Sequence, residues 1–216
     1  MYRGDGSMRQ TGSRRERGAT DGTDTGTGTA AGELLRRAVG YALGCAQFVT
    51  PALLHRPTPC AKWDLEALLA HADDSLAALH EGFDGGSIAV LPGPRPLPDD
   101  PAAAFRSRAA RLLGAWTAAG PPHRLIAVAD SPLTAEAVAL TGALDLAVHG
   151  WDIARAVRQT DRPVPTGLAE ALLPVSRHLV PYPEARPPLF APEVPVGPES
   201  PPGDRLVAFL GRAPDW

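Results

Sequence analysis

Apolar residues recur every three or four positions in four stretches of this chain, and each recurrence predicts an amphipathic helix. Leu34, Leu35, Val39 and Leu43 place the first helix at residues 31–54, ended by Pro57-Thr58-Pro59, where the chain must leave helical geometry. Leu65, Leu68, Leu69, Ala72, Leu76 and Leu79 stripe the second, WDLEALLAHADDSLAALH. Its Asp64 and Glu66 fall in the first turn, where the helix dipole favours acids. A third helix spans residues 101–119, opened by Asp99 or Asp100 and stopped by Gly120-Pro121-Pro122. Thr134 opens a fourth that reaches about Gln159, and a shorter one covers residues 167–179. Residues 87–91 and 124–129 have the makings of short extended pieces, and a last short helix, 204–210, precedes Gly211.

These elements predict an all-α chain: an antiparallel four-helix bundle with a short extra helix and a Pro-rich C-terminal segment. The bundle occupies residues 31–180. Residues 1–30 are polar, rich in Gly and Thr and nearly free of large apolar groups, so they are expected to be a disordered tail. Residues 181–216 form an extension, extended where proline dominates, whose short helix packs on the bundle.

Composition narrows the possibilities. A formal charge of -3 offers no basic face for nucleic acid. No run approaches the ~18 apolar residues of a membrane span, so a soluble, cytoplasmic protein is expected. Cys45 and Cys60 are too few for a disulfide framework. A core of this size folds without a metal staple, so a metal site here would be functional. Asparagine is absent and Lys62 is the only lysine, a bias that suggests a G+C-rich bacterial source.

The candidate chemistry lies on the second and fourth helices. On a wheel of the fourth, Leu140, Leu144, Ala147, Trp151 and Ala154 share one face. Val138, Gly142, Asp145, His149, Asp152 and Ala156 form a row opposite, with Gly142 and Ala156 leaving space beside the polar residues. Asp145 and His149, four apart, project side by side and make half of a site for zinc or a similar ion. An exposed ion pair is the more common outcome of that spacing. His71 sits at the shoulder of the second helix's leucine stripe, where a histidine is more often a boundary residue than a ligand. His80, nine positions on and about half a turn around, cannot join it. His55, His123 and His178 are expected to be structural, as are the anchors Trp63 and Trp151. Cys60, near a helix N-terminus, has the position of a nucleophile but is more readily a packed thiol.

Three segments resemble one family. TPCAKWDLEALLAH is similar to the Thr-Pro-Cys-x-x-Trp-Asp-x-x-x-Leu-x-x-His signature of the DinB-like, mycothiol-dependent maleylpyruvate isomerase N-terminal family. DLAVHGWDIARA resembles its Glu-x-x-x-His-x-x-Asp signature, and DRLVAFLGRAPDW resembles the C-terminal motif of its short members. The resemblance implies a metal, commonly zinc, held by His71, Asp145 and His149. The family's carboxylate is usually Glu, so Asp145 is one methylene shorter. The isomerase also has a further C-terminal domain at its substrate site, where this chain has only its Pro-rich segment and short helix.

The function expected on these grounds is a divalent-metal-dependent thiol transferase or thiol-dependent isomerase acting on a small electrophile, with zinc the first choice of metal and mycothiol the first choice of thiol. Asp152, in the ligand row, is expected to orient a ligand or the incoming thiol. The alternative is a non-catalytic small-molecule-binding bundle that has kept or lost its metal. The oligomeric state is open.

Overall fold

The structure, a computed structural model, describes residues 24–89, 98–118, 123–187 and 189–216. Helix α1 spans Asp24–Ala46. It starts inside the segment expected to be a tail, because extending a helix from Ala30 and Ala31 costs far less than nucleating one. The rest of that expected tail, residues 1–23, lies outside the described residues. Helix α1 also ends eight residues earlier than the apolar pattern suggested. Thr50, preceding Pro51, is extended (φ -124°, ψ 159°), and only a 3-10 turn, Pro51–Leu53, follows.

Helix α2, Leu65–Gly85, begins at the cap Asp64, whose carboxylate accepts from the Ala67 N–H at 2.9 Å. Helix α3 spans Pro101–Ala118 and is opened by Asp100, which accepts from Ala103 N–H at 2.8 Å. Helix α4, Ala135–Ala156, is capped by Thr134. Helix α5 spans Thr166–Leu179 and α6 spans Pro202–Phe209.

The chain is mostly helical but not all-α. Strands β1 (Ser87–Ile88), β2 (Leu125–Val128) and β3 (Ser131–Thr134) form a sheet in the order β1-β2-β3. The β1–β2 pair is parallel and the β2–β3 pair antiparallel, with Ile126 opposite Leu133. The third strand was not legible because SPLT has neither alternation nor length. It forms because the two-residue turn at Ala129-Asp130, with Ala129 at φ 50°, folds it back onto β2.

Helix α1 packs most extensively on α4, and α2 packs on both α3 and α4. Helix α4 is buried on both rows: Leu144, Ala147, Trp151 and Ala154 on one, and Val138, Gly142, His149, Asp152 and Ala156 on the other. Two glycines set these close approaches. A Cβ at Gly150 would stand 3.0 Å from Ala42 Cα of α1. A Cβ at Gly142 would meet the Leu79 methyls of α2 at 2.6 and 2.7 Å. The space beside Gly142, expected to stay open, is therefore filled by Leu79, which draws α2 against α4 and carries His71 toward Asp145. Gly142→Ala is expected to destabilise the fold by about 1–3 kcal/mol through overpacking, and to weaken metal binding with it. Urea denaturation and metal titration of the one variant check both.

The C-terminal segment wraps rather than hanging loose. Arg186, buried, donates to the carbonyls of Ala191 (3.1 Å) and Phe209 (2.7 Å), and Val194 N–H donates to Ala208 O at 2.9 Å. Helix α6 packs on α5. It closes with Gly211 at φ 85°, while Gly211 N–H and Arg212 N–H reach back to Ala208 O and Val207 O. That left-handed turn sends the Arg212 side chain back toward α4.

Candidate metal centre

Three side chains converge where α2 faces α4. His149 Nε2 lies 3.3 Å from Asp145 Oδ1, and His71 Nε2 lies 3.8 Å from the same oxygen. All three ligand atoms fall within 4.8 Å of one another. In a tetrahedral zinc site with bonds near 2.05 Å, donor atoms stand about 3.3 Å apart. His149 already stands at that separation from Asp145 Oδ1 and His71 about 0.5 Å beyond it, while the donor atoms of the two histidines lie within 4.8 Å of each other. Asp145 Oδ2 is buried with no hydrogen-bond partner. An orphaned carboxylate oxygen beside two imidazoles is what a cation would satisfy. The shorter aspartate thus reaches both histidines, and the donor set of two nitrogens and one oxygen fits zinc.

The surroundings hold these candidate ligands in place. His149 Nδ1–H donates to Asp152 Oδ2 at 3.0 Å, which fixes the tautomer and leaves Nε2 for the ion. Asp152 is 0% exposed. Arg212 clamps it from the other side, Nη2 to Oδ2 at 3.1 Å and Nε to Oδ1 at 3.4 Å. Asp152 therefore orients the His149 ring from a position closed to solvent. Trp63 covers His71, ring centroids 4.4 Å apart, and lies 5.8 Å from His149. Thr58 holds the preceding loop by donating to the carbonyls of Trp63 (2.8 Å) and Cys60 (3.1 Å). So Trp63 is half-buried and an anchor, as expected, but its anchor point is the candidate ligand.

Burial disfavours charge on His149, yet the Asp145 charge and the bonds to Asp145 and Asp152 outweigh it and raise its pKa to about 9. Burial likewise favours neutral Asp145, but His149 and His71 overcome this and hold its carboxyl far below the usual range. A proton on His149 competes with a metal ion. Apparent metal affinity is expected to rise up to about tenfold per pH unit and to level off near pH 9, with about one proton released per ion bound. The metal-free protein is expected to show the opposite trend. His149 is raised from 6.5, so its contribution to stability is complete below that pH and is lost as pH rises through about 9. Calorimetric titration in buffers of different ionisation enthalpy, and denaturation at pH 6 and 9, check the two signs.

The other candidates stay apart. Burial pushes the Cys60 thiol up from its ordinary value, and that of buried Cys45 up to about 11, so neither is an activated nucleophile. A second group, His55, Asp64 and Glu66, also brings its ligand atoms within 4.8 Å, but His55 is exposed. Asp64 there already caps α2, whose N-terminal dipole opposes a cation. Arg212 is the site residue that the sequence did not assign. Its position within DRLVAFLGRAPDW was visible, but its partner, sixty residues away, was not.

The architecture and this constellation define a mostly helical domain with a three-residue cluster between two helices that could hold a metal ion. The chain belongs to the mycothiol maleylpyruvate isomerase N-terminal domain family, whose match covers residues 35–154 and so includes His71, Asp145, His149 and Asp152. Two uncharacterized proteins of Mycobacterium tuberculosis, from different strains, are each 31% identical to it over 159 residues, which is 72% of this chain and 83% of theirs. No solved structure matches the chain. Among the described residues, no helix is long and apolar enough to cross a membrane.

Proposed function

We propose that this protein is a zinc-dependent enzyme of thiol chemistry, with mycothiol as co-substrate and a small electrophile as substrate. The observation that carries the reading is the convergence of His71, Asp145 and His149 around an otherwise unsatisfied Asp145 oxygen. Three protein ligands leave a fourth position open, the mark of a catalytic zinc. An ion held there would supply the Lewis acidity that brings a bound thiol, pKa ~8.5 when free, to its thiolate form near neutral pH. The chain's own part is to position. Asp152 fixes the His149 ring, Arg212 balances Asp152, and Trp63 keeps water from one face of His71. The thiol sulfur bonds to the electrophilic carbon and its proton passes to solvent. In transfer a leaving group departs with its electron pair; in isomerisation the sulfur leaves again.

The packing of α1 on α4 and of α2 on α3 and α4 supports the DinB-like antiparallel four-helix bundle as the frame, with residues 31–180 as its domain and 181–216 as its extension. A cytoplasmic location, with neither nucleic acid nor membrane as partner, suits thiol chemistry of this kind. The non-catalytic alternative draws on the apolar walls beside the ligands. Metal analysis followed by mycothiol consumption over a panel of electrophiles separates the two. The enzyme reading expects about one zinc per chain and thiol loss that a chelator stops. Thiol loss unaffected by the chelator, or zinc bound with no thiol consumed, overturns it.

A further inference from the structure

An open cleft of about 70 Å³ has Asp145 and His149 in its wall. Small-molecule sites are several times larger, so a ligand here seats only part of itself in the cleft and leaves the rest in solvent. The remaining wall is largely apolar and comes from three parts of the chain. Leu144 and Val148 belong to α4, Leu179 to the end of α5, and Phe190 and Leu210 to the C-terminal segment. The extension thus supplies one side of the pocket. Leu179 is 40% exposed at the mouth, so the apolar lining continues outward.

The polar groups in the wall are poorly suited to anions. Thr141 spends its hydroxyl proton on Ala137 O at 2.9 Å and presents only lone pairs. Asp145 is itself an anion. The cations in the lining, protonated His149 and Arg212, are already matched, His149 by Asp145 and Arg212 by Asp152, with Arg212 Nη1 committed to Leu210 O at 2.8 Å. A molecule with two carboxylates would desolvate both against apolar side chains and find at most one spare pair of guanidinium hydrogens.

Resting on the thiol-transfer reading of the same centre, we infer that the electrophile this pocket takes has an apolar body, aryl or branched alkyl, and at most one negative charge. Dicarboxylates are excluded, and the C-terminal segment sets that preference through Phe190 and Leu210.

Ligand-observed saturation-transfer NMR on the full chain, in matched samples with and without zinc, tests this with three probes. They are 2-phenylethanol, uncharged; phenylacetate, with one carboxylate; and maleate, with two and no apolar body. The two aryl probes are expected to bind in both samples, at least about tenfold more tightly than maleate. Phe190→Asp, at a half-buried rim position, is expected to weaken aryl binding about tenfold, and Phe190→Leu to restore it. Maleate binding more tightly than phenylacetate, no aryl binding, or equal binding by both Phe190 variants overturns the inference. Failure of the metal reading looks different: the aryl probes bind, but zinc does not.

Discussion

Replacing His149 with alanine is expected to leave a folded helical chain that no longer holds a divalent ion tightly. The fold survives because the variant strands no buried charge. Asp152 keeps the two-pronged contact from Arg212, and Asp145, 30% exposed along its side chain, can turn to water. The apolar faces of α1, α2 and α4 bury one another whatever the ligand state. Metal binding loses one of three protein ligands. Structural zinc sites bind with about 10–16 kcal/mol from four ligands, so each is worth about 3 kcal/mol, or roughly 10²-fold in affinity, as a floor. Far-UV circular dichroism should match the parent while zinc competition against a chromophoric chelator shows the loss. An unfolded variant would make the ion structural, since there the binding energy is folding energy.

Arg212→Met carries the largest expected cost to stability, about 3–5 kcal/mol, because it removes one partner of a buried ion pair and keeps the bulk. Arg212 is 8% exposed and Asp152 0%, so water cannot replace the lost charge. Only His149 then remains against Asp152. Its proton offsets part of the loss below about pH 9, so the penalty should grow as the solution is made alkaline. Metal affinity should fall as well, by about 10–100-fold, since Asp152 no longer holds the ring firmly. The double variant with Asp152→Asn separates the two effects. It should recover much of the stability, having no orphaned charge, but not the metal affinity. Urea denaturation at pH 7 and 9 with parallel zinc titration decides. Wild-type stability in Arg212→Met would show that the pair is not buried in solution.

Much of this protein is legible in its sequence, for local reasons. The stripe from Leu65 to Leu79 dictates α2, Asp64 and Thr134 dictate where α2 and α4 begin, and Pro51 ends the first helical segment, although the apolar pattern alone runs past it. Asp145 and His149 share a face because they are four apart, a property of any helix. The resemblance implied that His71 joins this pair, but spacing along the chain could not, because His71 comes from another helix and only the packing brings it within 3.8 Å of Asp145. Its approach depends on Leu79 filling the space above Gly142. Arg212 depends on more still: a left-handed glycine, a short helix and a Pro-rich strap must all be placed before it meets Asp152. Periodicity and capping act within a few residues, so a chain reports them one element at a time. Contacts between distant residues exist only when several elements pack together, and at this centre those contacts hold two of the candidate ligands, His71 and His149, in place.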